Sequence, residues 1–146
     1  MFVSSDDCHN IIRVLFVDFS KAFELIDHNV LLRKFNDYDF PPQLSLWMLA
    51  FLSRRNQFVK VGGCVSAVMR SHAGAPQGTR AGPNVFKLLI NDLSFQLPTI
   101  KYVDDVSVVS VASDPNDQTL QKAVASLIDW SNRNGLRINN DKTKEL

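Results

Sequence analysis

An α+β fold, with helices packed on one face of an antiparallel sheet, follows from three features of this sequence. Short β-branched and aromatic runs are separated by turn signals, and longer segments carry apolar residues at helical spacing. No strand–helix–strand alternation of the kind that builds a parallel sheet runs through the chain. The length of 146 residues is that of one domain with a buried core, and we expect residues 1–146 to be a single domain.

"IIRVLFV", residues 11–17, reads as a buried strand that delivers Asp18 at its end. A short helix is expected over roughly 28–37, ending before Pro41-Pro42. In the next helix Leu44, Trp47, Met48, Phe51 and Leu52 form a stripe expected to pack on the core. Residues 57–61 and 64–70 are strand-like and flank Gly62-Gly63, a hairpin signal. "HAGAPQGTRAGP", 72–83, reads as a loop, and a helix carrying Phe86, Leu89, Ile90 and Leu93 follows, closing near Pro98. "KYVDDVSVVS", 101–110, is a strand–Asp–Asp–strand hairpin by pattern. Asp114-Pro115 is the expected cap and first residue of a helix bearing Leu120, Ala123, Val124, Leu127 and Ile128, with Gly135 closing it. "LRIN" is a short last strand.

Composition excludes several classes. With 45% hydrophobic and 21% charged residues the chain is not disordered, and a net charge of +1 does not by itself announce a nucleic-acid binder. Cys8 and Cys64 show no zinc or disulfide spacing, and His9, His28 and His72 share no metal-ligand spacing; a reduced, intracellular setting is the expectation. "MFVSSDDCHN" lacks the basic and apolar regions of a secretory signal, and "LSLWMLAFL" is about half a membrane span, so no membrane partner is expected.

Two adjacent carboxylates inside a valine-rich run need explaining, because Asp is depleted from strands. Taken alone, Asp104-Asp105 reads as a solvated hairpin tip. If the sheet sets the strand ending at Asp18 beside this hairpin, three carboxylates converge, and crowded like charges call for cations. Oxygen ligands without histidine or thiolate suit magnesium or manganese, and two such ions serve in-line phosphoryl transfer.

"FVDFSKAFELIDHNVLLRKF", "GAPQGTRAGPNVFKLLINDL" and "KYVDDVSVV", in that order, resemble motifs A, B and C of a reverse transcriptase, more narrowly of the non-LTR (LINE-type) retrotransposons. "GLRINNDKTKEL" is similar to motif D, so the resemblance covers roughly residues 11–146. It implies a polymerase palm, an RRM- or ferredoxin-like antiparallel sheet with helices on one face, within a partial reverse transcriptase fold. It implies an RNA-directed DNA polymerase that adds deoxynucleotides to a primer 3′-hydroxyl with two Mg²⁺ or Mn²⁺ ions. RNA template, DNA primer and dNTP are the implied partners, and the nucleus, or else the cytoplasm, the implied location.

By the same resemblance Asp18 and Asp104 are the main metal ligands, Asp105 the third acid, and the Phe19 carbonyl a further ligand. Phe23 falls at the sugar gate, Gln77 and Gly78 lie against the incoming nucleotide, Tyr102 sits by the primer terminus and Lys142 meets the leaving pyrophosphate. Lys21 and Arg80 are either phosphate contacts or solvated charges. Without the motif, Phe23 reads as ordinary core and Lys142 as a surface charge. Arg80 and Asn84 stand where the family usually has apolar residues.

The fingers before motif A, the thumb after motif D and an endonuclease domain are expected in other parts of a longer polyprotein, so catalysis by this segment alone is expected to be weak or absent. A second reading from a different class is a catalytically silent remnant, at most an RRM-like RNA-binding module, although no RNP-type aromatic pair stands out. An unrelated phosphoryl transferase such as a nucleotide cyclase would leave "PQG" unexplained.

Overall fold

The computed structural model describes residues 10–114 and 116–146. Residues 1–9, among them Cys8 and His9, and Pro115 lie outside the described residues. In chain order the elements are β1 (Ile11–Val17), β2 (Phe19–Ser20), α1 (His28–Asp37), α2 (Pro42–Leu52), β3 (Arg55–Gln57), β4 (Lys60–Val61) and β5 (Cys64–Val65). There follow β6 (Met69–Ser71), α3 (Ala81–Leu89), β7 (Thr99–Tyr102), β8 (Asp105–Ala112), α4 (Thr119–Asn134), β9 (Arg137–Ile138) and β10 (Lys144–Glu145). The chain is α+β with antiparallel pairing throughout, and it divides into two compact units: residues 10–20 with Asn91–Leu146, and Lys21–Ile90. Among the described residues no helix is long and apolar enough to cross a membrane.

The first unit is built on a four-stranded sheet in the order β10-β1-β8-β7. In β8 the pleat sorts side chains by parity: Val106, Val108, Ser110 and Ala112 are buried, whereas Asp105 and Val111 are exposed. The paired β1 obeys the same rule, so Leu15 and Val17 are buried while Ile12 and Phe16 are 66% and 44% exposed. The expectation of a fully buried strand is therefore corrected to a half-buried one, since an unbroken apolar run hides which face is covered. Leu120, Ala123, Leu127 and Trp130 of α4 complete the core of this unit. Ile128, expected on that face, is exposed instead.

Helix α4 begins at Thr119, not at Asp114. Asp114 closes a local turn by accepting from the Asn116 N–H at 2.9 Å, and Asp117 takes over the helix start. Its carboxylate accepts from the Thr119 N–H at 3.0 Å and the Thr119 hydroxyl at 2.6 Å, and these bonds hold it below the usual carboxylate range. Gly135 ends the helix in the left-handed conformation at φ 66°, as expected. Arg13 ties β1 to its surroundings, donating to Glu145 Oε1 and to the Asp117 carbonyl, each at 2.6 Å.

The second unit holds α1, α2, α3 and the hairpin strands; among the described residues only helix α4 shares a unit with the four-stranded sheet. Asp27 caps α1, accepting from the Asn29 N–H at 2.7 Å. Phe35, Leu52, Val85, Phe86 and Leu89 are fully buried and form its core. The expected stripe on α2 does not pack: Leu52 is buried, but Leu44, Trp47 and Phe51 are exposed and Met48 is intermediate. With Leu46 and Leu49 this helix is apolar around most of its circumference, so periodicity could not choose its inner face.

The Gly62-Gly63 hairpin forms with shorter ladders than expected. Lys60 pairs with Val65 and Val61 with Cys64, while Arg55, Asn56 and Gln57 pair with Ser71, Arg70 and Met69. Between the ladders two residues, 58 and 59, face three, 66–68, which is a bulge. The Ser66 hydroxyl bridges it, accepting from the Val59 N–H at 2.9 Å. The loop expected over 72–83 ends early because Ala81, Gly82 and Pro83 form the first turn of α3. Proline is tolerated there, where N–H groups have no intrahelical partner, and Thr79 Oγ1 accepts from the Gly82 N–H at 3.2 Å.

Candidate active site

The hairpin carrying the paired acids turns on Val103 and Asp104, since Tyr102 pairs with Asp105. The two aspartates thus differ in setting: Asp104 is in the turn, and Asp105 is the first residue of β8. Val103 has φ 56°, a conformation that a β-branched residue strongly disfavours and that a two-residue turn normally gives to glycine. Strain of this kind costs about 1–2 kcal/mol. Replacing Val103 by Gly is expected to raise the melting temperature by roughly 3 °C, with no gain in Val103→Ala, which keeps the Cβ. A fall in both variants would refute the strain.

The β1–β8 ladder ends with Val17 opposite Val106. Asp18 and Asp105 are the residues next beyond the last pair of the ladder, and Tyr102 is paired to Asp105 on its other side.

A loop embraces Asp18 from the opposite edge. Residues 15 and 16 pair with Glu145 and Lys144, and residues 19 and 20 pair with Ile138 and Arg137. Two residues, 17 and 18, therefore face five, 139–143, and the longer side must arch. The arch is pinned to Asp18: its carbonyl accepts from the Asn139 N–H at 2.9 Å, and its N–H donates to Thr143 Oγ1 at 3.2 Å. Lys142 Nζ consequently lies 3.7 Å from Asp18 Oδ1. Sequence reading had named Lys142 but not β10, Asn139 or Thr143, because pairing of so short an edge strand has no signature in hydrophobic pattern. Phe19 is buried with its ring 6.3 Å from that of Trp130.

The donors at this end of the sheet are carboxylate oxygens, hard ligands that fit a divalent cation of the hard class. Among the described residues, however, no three His, Cys, Asp or Glu side chains gather into a group that could hold a metal ion. Lys101, just before Tyr102, donates to the carbonyls of Asn91 and Leu93 at 2.9 and 2.8 Å. Its partial burial lowers its pKa, an effect that Asp92 partly offsets.

In the second unit Phe23, Pro76, Gln77, Gly78, Thr79 and Pro83 line a cavity of about 400 Å³. Phe23 leans on Phe86 with ring centroids 5.5 Å apart. Gln77 Nε2 donates to Glu24 Oε1 at 2.6 Å, a partner that the sequence alone did not reveal. Gly78, in the segment that the resemblance sets against the incoming nucleotide, has nothing within 4 Å of a Cβ built there. Its φ of 73° lies in the left-handed region that favours glycine. Within the chain, Gly74 is a point of close approach: its built Cβ meets the carbonyl oxygens of Phe23 and Glu24 at 2.8 Å.

The loop is clamped at that point. The Gly74 N–H donates to the Ile26 carbonyl and the Ala75 N–H to the Phe23 carbonyl, both at 2.8 Å. The Gly74 carbonyl accepts from Arg55 Nη2 at 3.0 Å and from His28 Nε2 at 2.9 Å. A carbonyl can only accept, so the proton sits on Nε2. Arg55 also donates to the carbonyls of Leu52 and Ala73. Arg55 and His28 were not singled out for this loop from sequence; only the fold reveals a basic side chain spent on carbonyls.

The whole-chain comparisons agree with the motifs. Residues 6–146 match the family described as reverse transcriptase (RNA-dependent DNA polymerase). The chain is 30% identical over 139 residues to the RNA-directed DNA polymerase from mobile element jockey of Drosophila melanogaster, which covers 87% of this chain and 15% of that protein. The protein of the same description from Drosophila funebris is 27% identical over 139 residues, again 87% of this chain and 15% of the relative. The probable RNA-directed DNA polymerase from transposon BS of Drosophila melanogaster is 26% identical over 141 residues, 88% of this chain and 16% of the relative. The chain thus spans about one sixth of the length of these relatives. With three ordered motifs and a match over nearly its entire length, the chain belongs to the reverse transcriptase (RNA-dependent DNA polymerase) family.

Proposed function

We propose that residues 1–146 are the palm domain of an RNA-directed DNA polymerase of retrotransposon origin, in the RRM- or ferredoxin-like arrangement. One observation carries this reading: the β1–β8 ladder ends with Val17 opposite Val106, so Asp18 and Asp105 follow it on adjacent strands, and Lys142 Nζ stands 3.7 Å from Asp18. Like charges placed across adjacent strands destabilise a sheet, so a function that needs them there is the economical explanation.

In the reaction, a primer 3′-oxygen attacks the α-phosphorus of a dNTP paired to an RNA template. A new P–O bond forms, the α–β phosphoanhydride breaks, pyrophosphate leaves and the hydroxyl proton passes to water. Asp18, Asp104, Asp105 and the Phe19 carbonyl are the groups that would hold two Mg²⁺, or Mn²⁺, ions. When bound, such ions supply activation of the attacking oxygen and neutralisation of charge on the leaving group. Lys142 offers the departing pyrophosphate a positive charge or a proton. Tyr102, aligned with Asp105, is assigned to the primer terminus. Phe23 restricts the sugar 2′ position, and Gln77 and Gly78 contact the nucleotide. Other segments of a longer polypeptide complete the grip on primer and template, and the nucleus is the proposed site of action.

The test pairs metal binding with catalysis. Manganese added to the purified chain is expected to broaden amide resonances around Asp18 and Asp105, and Asp105→Asn to abolish the broadening. Magnesium-dependent extension of a DNA primer on an RNA template is expected to fall roughly 100-fold or more in Asp105→Asn, with melting unchanged. Resonances that ignore manganese, together with no extension by the unaltered chain, would return it to a silent RNA-binding remnant.

A further inference from the structure

The C-terminal end of α4 and the segment after it line a cavity of about 350 Å³, wholly within the first unit. The sequence builds it locally. Ile128, Ser131 and Asn132 stand at i, i+3 and i+4, on one face of the helix. The left-handed Gly135 then turns the chain back, and the Leu136 N–H donates to the Ser131 carbonyl at 3.1 Å. Leu136, Arg137, Ile138 and Asn140 complete the lining.

This lining joins three apolar side chains to four polar ones whose bonding capacity is unused. Ser131 is only 2% exposed, yet its hydroxyl has no hydrogen-bond partner among the described residues. Buried polar groups are nearly always bonded, so this one calls for a reason. Asn132, Arg137 and Asn140 are exposed, and their side chains make no hydrogen bond or ion pair among the described residues. None of the residues lining the cavity is an acid. Beside these groups Ile128 leaves a branched aliphatic surface 45% exposed.

One guanidinium with two amides and a hydroxyl suits a planar anion, which arginine grips through two parallel bonds. The lining offers no aromatic ring on which a nucleobase could stack, so the fitting anion is a carboxylate joined to an aliphatic group. Polar and apolar walls meet inside one small cavity. Carboxylate and aliphatic group must therefore be close neighbours, as they are on the last residue of a peptide chain.

We propose that this cavity binds the C-terminal residue of a partner peptide, a branched aliphatic one such as leucine. Its terminal carboxylate meets Arg137, its side chain rests on Ile128, Leu136 and Ile138, and Ser131 gains the partner it lacks. Asn140 belongs both to the cavity and to the arch of 139–143 that is pinned to the Asp18 carbonyl by Asn139, so binding is felt there. The proposal does not rest on the polymerase reading and is measured without metal, nucleotide or nucleic acid.

Titrating the isotope-labelled chain with acetyl-Ala-Ala-Leu, followed by two-dimensional NMR, tests this. The amide resonances of Ile128, Ser131 and residues 136–140 are expected to shift. The same peptide with a C-terminal amide should bind about 10-fold more weakly or worse, and so should the acid peptide with Arg137→Gln. Ser131→Ala should weaken binding about 3-fold while raising the melting temperature, because it removes an orphaned hydroxyl; a merely structural serine would not lower affinity. Asp105→Asn is expected to bind as the unaltered chain does, which separates this site from the catalytic proposal. The spectra themselves report whether each variant is folded. Equal affinity for acid and amide peptides would overturn the proposal, as would unchanged affinity in both Arg137→Gln and Ser131→Ala. So would shifts confined to other parts of the chain, no shift at millimolar peptide, or tighter binding of inorganic phosphate than of the peptide.

Discussion

Replacing Gly74 by alanine should be among the most damaging single-methyl changes available in Lys21–Ile90. At φ 79° any side chain incurs about 1–2 kcal/mol of backbone strain. The added Cβ would also meet the Phe23 and Glu24 carbonyl oxygens at 2.8 Å and Glu24 Cα at 3.0 Å, all backbone atoms that cannot swing aside. Moving the two segments apart means stretching the hydrogen bonds from the Gly74 and Ala75 N–H groups to the Ile26 and Phe23 carbonyls, each worth about 1 kcal/mol. A total near 3 kcal/mol corresponds to a fall in melting temperature of roughly 10 °C. Gly78→Ala is the control, having a similar φ of 73° but open space around the Cβ, and should cost about 1 kcal/mol. Equal losses in the two variants would show that the close approach carries no energy. Because the Gly74 carbonyl also receives Arg55 and His28, the same change should loosen the loop that presents Gln77.

Phe86→Ala is expected to cost about 3–5 kcal/mol, because the ring is fully buried and its removal leaves a cavity that the helix cannot fill. The proposed function adds a second readout. Phe23 rests on Phe86, so a ring that no longer has support should discriminate less well between deoxyribo- and ribonucleotides. A double-mutant cycle of Phe23→Ala with Phe86→Ala, measured by chemical denaturation, should give a coupling of about 0.5–1.5 kcal/mol. Strict additivity would mean that the two rings are neighbours without mutual support.

Asp18, "PQG" and Asp104-Asp105 were recognisable because the residue types themselves are informative: carboxylates at the end of apolar runs, and glycine with proline where a loop must turn. Strands β1 and β8 and helix α1 were equally legible, since hydrophobic period and cap residues act within a few positions of one another. The expectation failed where the outcome depends on distant partners. α2 is apolar around most of its surface, so which side is buried is settled by neighbours outside its own stretch. Asp114 had the chemistry of a cap, but Asp117 has Thr119 two residues on and wins the helix start. Arg55 looked like any surface cation until the fold placed three carbonyls in front of it.

By itself, the sequence determined the α+β class, the order of the main elements, the family and the candidate carboxylates, all properties carried by local pattern. Tertiary structure alone decided that the β1–β8 ladder ends just short of Asp18 and Asp105, that the arch of 139–143 carries Lys142 to Asp18, and that Gly74 is a point of close backbone packing. The physical reason is the same in each case. Strand register and loop closure join residues far apart in the chain, and their energies depend on pairings that no local pattern encodes.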